Sequence, residues 1–268
     1  MVLIALLIAL SVERLYHSPG FLHWSFYLER WQGWSAERLK DEKWESGPLQ
    51  LVRMLVPAVA IGLLVVLLDN LMVTFIVSIL ALLLAINCEP ARKEYKAYLK
   101  AANRGDEQQV SAHQQALTEF AGRHQPEQLS DSLIWINYRQ YIAVMFYFVL
   151  FGSFGALVYA TLRYAEKDTK PRQQLLWFAD WVPARLSAFG LLIVGHFSRA
   201  FPTWLQQSLN PQTDPDKLLF EVAGKAEDSP QHPDDRTEHI ACQLRLMRRQ
   251  QVFWIVVIAA LTVWGAVS

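Results

Sequence analysis

Residues 51–87 read LVRMLVPAVAIGLLVVLLDNLMVTFIVSILALLLAIN. The run is almost wholly aliphatic and is too long for one straight membrane span, which needs about 20 residues. Asp69 and Asn70 stand at its middle. Two polar turn-formers between two apolar halves predict a tight helical hairpin. That reading sets the class of the whole chain.

Further apolar segments extend the pattern. Val2–Tyr16 is a short one, Tyr141–Leu162 a full one, and Val252–Val267 lies at the C-terminus. A fifth, between Leu175 and Phe197, contains Pro183 and is read as broken there. With the hairpin these make about five or six membrane segments. Hydrophobic residues are 53% of the 268, against 25 basic and 25 acidic ones. That is too apolar for an ordinary soluble domain and too charged for bare spans. The expected fold is all-α, a polytopic integral membrane helical bundle forming a single membrane domain over 1–268. No Lys or Arg precedes Arg14, so the first segment reads as a retained span and not as a cleaved signal.

The three long loops carry nineteen Lys and Arg, while the opposite side carries four (Arg163, Lys167, Lys170 and Arg172). The positive-inside bias therefore predicts a multi-pass protein of the bacterial inner membrane with its long loops cytoplasmic. Cys88 and Cys242 then fall on the reducing side as free thiols.

Each loop has its own character. In 17–50, Trp24, Tyr27, Leu28, Trp31 and Trp34 recur at helical spacing opposite Glu29, Arg30, Glu37 and Arg38. This predicts an interfacial amphipathic helix with tryptophans at headgroup depth. In 88–132, Glu89-Pro90 starts a helix, Asn103-Arg104-Gly105-Asp106 ends it, and Asp106 caps the next. A cytoplasmic helical hairpin follows. Ser130-Asp131 is expected to cap the helix entering the fourth span. Residues 198–250 are expected to be a flexible cytoplasmic loop, because Asn210–Glu238 is rich in Pro, Asp, Gln and Lys without an apolar period.

Several chemistries are excluded. No basic-aromatic sheet pattern or zinc spacing points to nucleic acid. There is no P-loop, HExxH, GxSxG or GxGxxG, so no cofactor is expected and a nucleotide has no motif to hold it. The histidines lack metal-ligand spacing. Gly152-Ser153-Phe154-Gly155 reads as a helix-packing motif inside a span.

Asp180-Trp181-Val182-Pro183-Ala184-Arg185-Leu186 places a carboxylate and a guanidinium within an apolar run. Each costs roughly 2.5 to 3.5 kcal/mol at a helix centre, and intramembrane charges are functional candidates by default. A break at Pro183 that turns Asp180 and Arg185 into structural anchors is an equal reading. Five residues apart, they are about 140° around a helix and cannot pair well, so each is expected to meet another segment. The polar groups that can converge are Glu13 and Arg14, Asn137 and Arg139, and Asp180 and Arg185. Such a cluster could bind an anionic ligand through arginine forks, or serve only as a structural network.

Leu133-Ile134-Trp135-Ile136-Asn137-Tyr138-Arg139, the Asp180–Leu186 stretch, Glu13-Arg14-Leu15 and Tyr98-Leu99-Lys100-Ala101-Ala102 resemble the AmpE family of Gram-negative inner-membrane proteins. The resemblance covers essentially the whole chain. It implies a modulator of inducible β-lactamase expression, linked to peptidoglycan recycling. The implied partners are an anionic small molecule such as a muropeptide and a cytosolic amidase; the apolar segments make the lipid bilayer a further partner, and a homodimer is an assembly open to the chain. Pro183-Ala184-Arg185-Leu186 is also similar to a motif of the CobD/CbiB membrane enzymes of cobalamin synthesis, which implies an amide-forming synthase as an alternative. Where those enzymes carry Asn-Thr-Leu-Asp-Ser-Met, this chain reads Ala160-Thr161-Leu162-Arg163-Tyr164-Ala165. The ligase-type residues are thus only partly present. A transporter of a recycling product is the third reading.

Overall fold

Helices form wherever the apolar runs lie, and no strand occurs among the described residues. The computed structural model describes residues 1–15, 23–38, 48–86, 88–122, 128–165, 170–227 and 236–265. Five helical stretches are long and apolar enough to cross a membrane: Leu49–Leu68, Leu71–Arg104, Leu129–Ala165, Arg172–Val194 and Ile240–Val263. The protein is an all-α, multi-pass membrane protein. The chain divides into two compact units. One comprises Met1–Asn87, Ala143–Phe178 and Ile258–Ser268; the other comprises Cys88–Ile142 and Ala179–Val257.

The first unit is built on the predicted hairpin. Helix α3 (Pro48–Leu68) and helix α4 (Leu71–Ala85) are joined at Asp69-Asn70. Asp69 takes φ 38°, and the Asn70 side chain accepts the N–H groups of Met72 and Val73 at 2.9 and 3.3 Å. This N-cap satisfies donors that a helix end otherwise leaves bare. At the tip, Leu67 is 82% and Met72 72% exposed, a surface suited to lipid and not to water. Helix α1 (Val2–Leu15) packs on α4. Its 14 residues rise about 21 Å, short of a ~30 Å hydrocarbon core, so the expected first span is not among the five. Tyr16 lies outside the described residues.

Helix α2 (Trp24–Arg38) carries Trp24, Trp31 and Trp34 of the predicted amphipathic segment. Trp24 and Leu28 are buried, and α2 rests against α3 and α8 (Ala143–Ala165). The Trp24 indole donates to Thr161 Oγ1 at 2.8 Å and the Trp31 indole to the Arg53 carbonyl at 2.9 Å. An indole seeks a buried acceptor as readily as a headgroup, and here neighbouring helices supply it. Trp34 remains exposed beneath the Arg38 guanidinium. Residues 17–22 and 39–47 of that predicted segment lie outside the described residues.

Helix α8 is not the straight span predicted over Tyr141–Leu162. At Gly152 the backbone takes φ 63°, ψ −150°, a region open essentially to glycine alone. The Tyr147 and Tyr159 rings stack with centroids 5.1 Å apart. In a straight helix, residues twelve apart would be separated by about 18 Å. The helix therefore doubles back at Gly152. Gly155 completes the turn, since a Cβ there would collide with the Tyr147 carbonyl. The glycines read as a packing motif are a reversal instead.

The second unit begins with the predicted hairpin of α5 (Glu89–Arg104) and α6 (Glu107–Ala121). Gly105 is left-handed at φ 69°, and Asp106 Oδ1 accepts the Gln109 N–H at 3.1 Å. Helix α7 (Leu129–Asn137) starts after Gln128, which supplies no side-chain cap; Ser130 and Asp131 lie in the first turn instead. Helix α9 (Lys170–Val194) runs unbroken through Pro183, contrary to the expected break. Proline forfeits one backbone bond, but Ala184, Ala188, Leu191 and Leu192 are fully buried around it. That burial outweighs the loss. The segment 198–250, expected to be flexible, contains α10 (Phe197–Leu209), α11 (Pro215–Ala226) and the first half of α12 (Arg236–Val263). Leu218, Leu219, Val222 and Ala223 form a buried stripe on α11, an amphipathic period hidden by the polar residues flanking it. Residues 228–235 lie outside the described residues.

Candidate functional site

The second unit holds a buried charge network at the end of α7. Between α7 and α8 the helix widens into a π-helical turn, Tyr138–Ile142. Single π turns are uncommon and concentrate at functional sites. Neighbours on an α-helix point about 100° apart, yet Tyr138 and Arg139 here both reach Asp180 of α9. Tyr138 Oη donates to Asp180 Oδ1 at 3.0 Å and lies 3.2 Å from its carbonyl oxygen. Arg139 Nη2 donates to Asp180 Oδ2 at 3.1 Å. Both charged side chains are nearly inaccessible, at 6% and 1%.

Trp135 completes the arrangement one turn earlier. Its ring lies 4.4 Å beneath the Arg139 guanidinium and stacks on Tyr138 at 5.1 Å. The guanidinium thus has a carboxylate at its edge and an aromatic face below, which are the contacts that make a buried arginine tolerable. As the spacing predicted, Asp180 pairs with an arginine of another segment and not with Arg185.

Arg185 has a different task. It lies 3.8 Å over the Trp181 ring. Its Nε, Nη1 and Nη2 donate to the carbonyls of Ser208, Trp181 and Asn210 at 3.3, 3.0 and 3.0 Å. Ser208 and Asn210 lie at the C-terminal end of α10, where carbonyls lack helical partners and the dipole favours a cation. The Trp181 indole donates to the Pro211 carbonyl at 3.1 Å. Arg185 and Trp181 together fasten the end of α10 to α9.

Asn137 Oδ1 accepts from Gln251 Nε2 at 3.2 Å. The adjacent Gln250 donates to the Ser187 carbonyl and Oγ at 2.6 and 2.7 Å. Two glutamines on α12 therefore tie α7 and α9 by polar contacts. Of the predicted residues, Asn137, Arg139, Asp180 and Arg185 belong to this unit, whereas Glu13 and Arg14 belong to the other. There Glu13 is buried and Arg14 exposed.

Tyr138, Trp135, Gln250 and Gln251 were not singled out from the sequence. Tyr138 was adjacent to a predicted residue, but an α-helical reading turns it away from Arg139. The sequence puts the glutamines on the loop side of the last span. Arg53 is hidden in the sequence by the aliphatic run that defines the hairpin. Among the described residues no group of His, Cys, Asp and Glu could hold a metal, and neither Cys88 nor Cys242 is in a disulfide.

The family described as "Regulatory signalling modulator protein AmpE" matches residues 1–268. The chain belongs to the AmpE family. A relative named Protein AmpE, from Shigella flexneri, is 29% identical over 214 residues, covering 72% of this chain and 75% of the relative. No solved structure matches the chain. An AmpE family member is a regulatory membrane protein, and a regulator needs an element with two alternative arrangements. An anion able to reach Arg139 would compete with Asp180 for the same N–H donors.

Proposed function

We propose that this AmpE family protein modulates β-lactamase induction from the bacterial inner membrane, in response to peptidoglycan-recycling status. Its long loops face the cytoplasm, and its ligand is an anionic recycling product such as a muropeptide. Arg139 and Arg185 are the recognising cations in this reading, with Asn137 and Asp180 orienting them. The observation that carries the reading is the buried Tyr138–Arg139–Asp180 network in the π turn. A ligand carboxylate that displaces Asp180 from Arg139 would let the wide turn relax toward regular α-helix, re-aiming α7. A cytosolic amidase is the proposed recipient of that change, and a homodimer the proposed assembly.

Thermal melting of the detergent-purified protein tests this. An anhydro-muropeptide at a hundredfold excess over Kd should stabilise the native state by about 2.7 kcal/mol, and Arg139→Met should abolish the shift. In cells, the same variant should alter β-lactamase induction. Unchanged induction together with an unchanged ligand shift in Arg139→Met would overturn the reading.

A further inference from the structure

The first unit contains a second polar group, separate from the Arg139–Asp180 network. Arg53 lies in the second turn of α3 and is 5% exposed; Arg172 lies in the first turn of α9 and is 3% exposed. Arg172 Nη2 donates to Gln50 Oε1. Gln50 and Arg53 are three residues apart on α3, so their side chains are neighbours on one helix face. Two buried guanidiniums therefore gather around one amide.

Among the described residues, no carboxylate pairs with Arg53, and its Nε and Nη1 are buried without a hydrogen-bond partner. Neither α3 nor α9 has an acidic residue in its first turn. The Gln50–Arg172 bond brings the N-terminal turns of both helices together, and helix N-termini carry partial positive charge. Two arginines are thus added where the backbone already favours an anion. Arg163 shows the alternative fate of a cation in this unit: its Nη2 donates to the Ala85 carbonyl at the end of α4, at 2.8 Å. Arg53 has no such acceptor. Burying a charge without a partner costs several kcal/mol. An oxyanion would supply the acceptors and the charge together.

We propose that Gln50, Arg53 and Arg172 form a binding site for a phosphate-type oxyanion, carried by an anionic lipid headgroup or by a soluble phosphate. Planar guanidinium forks match phosphate oxygens, and the Gln50 amide group can add a donor from its nitrogen. The site sits at the start of two membrane-capable stretches, Leu49–Leu68 and Arg172–Val194, the depth at which a headgroup phosphate is found.

The experiment uses the full chain in nanodiscs, read by melting temperature. One arm compares phosphatidylcholine discs with discs that also contain phosphatidylglycerol. The other adds inorganic phosphate to phosphatidylcholine discs, against chloride of equal ionic strength. The wild type should gain stability in at least one arm: a phosphatidylglycerol gain alone assigns a lipid headgroup, and a phosphate gain assigns a soluble ligand. In Arg53→Met the apparent affinity should fall on the order of tenfold or more. Arg53→Lys keeps the charge but loses the fork, and should bind more weakly than wild type; it carries the test should Arg53→Met not fold. No gain in either wild-type arm, or equal gains in wild type and the Arg53 variants, overturns the proposal. Arg139→Met should leave these gains unchanged, which separates this site from the muropeptide reading.

Discussion

Asp180 is buried to 1% and shared by a phenol and a guanidinium, so each of its partners depends on it. Removing one member of a buried ion pair strands the other, at a cost of about 3–5 kcal/mol. Asp180→Leu should lower the melting temperature of the detergent-solubilised protein accordingly. The double variant Arg139→Met with Asp180→Leu should recover most of the loss, because an apolar pair has no stranded charge. A double variant as unstable as the single one would show that the network does more than neutralise itself. Tyr138→Phe removes one hydrogen bond to a charged acceptor and should cost about 1.5–3 kcal/mol in the same assay. The presence of charge at Asp180 and Arg185 was legible in the sequence, and so was the impossibility of their pairing. That Arg139 meets Asp180 was not legible, because the two residues are 41 positions apart and only the packing of α7 against α9 brings them together.

At the scale of the element, glycines decide three features. Gly152 reverses α8 in a backbone region that costs a residue with a side chain about 1–3 kcal/mol, so Gly152→Ala should destabilise by that amount. A retained melting temperature would mean that α8 can straighten. Gly190 on α9 is covered by Trp254 of α12, whose Nε1 would lie 2.7 Å from an added Cβ. Gly195 follows α9, at the point where the His196 N–H donates to the Ala226 carbonyl at 2.8 Å. An added Cβ there would collide with that carbonyl. Gly195→Ala should therefore loosen the seat of α11, read as faster proteolysis within 210–227, whereas Gly224→Ala, with open space around it, should have no such effect. Hairpin turns such as Asp69-Asn70 and Gly105-Asp106 are visible from sequence because local chemistry specifies them. The Gly152 reversal is hidden, since a glycine within an apolar run also suits straight helix packing.

For the whole molecule, the helices form wherever the apolar runs are long enough, and their exposed leucines and valines require a bilayer. The proposed orientation, argued from the positive-inside bias, has α5 and α6 facing the cytoplasm. Ser111, exposed on α6, provides the check. In a background lacking Cys88 and Cys242, Ser111→Cys should react with a membrane-impermeant maleimide in inverted vesicles and not in intact spheroplasts. Labelling in spheroplasts would reverse the orientation, and with it the proposed cytosolic partner.

Composition and periodicity alone determined that this protein is helical, that it crosses a membrane several times, and where its hairpins turn. Each of those follows from local terms: the transfer of apolar side chains, backbone bonds closed within one helix, and caps within a few residues. Tertiary structure decided that Pro183 lies inside a helix, that α11 is ordered, that Trp24 is buried, and that Arg53 and Arg172 gather at Gln50. These outcomes depend on a partner distant in sequence, whose packing or hydrogen bond outweighs the local preference. A polar residue in an apolar segment declares that it needs a partner, and only the folded chain supplies one.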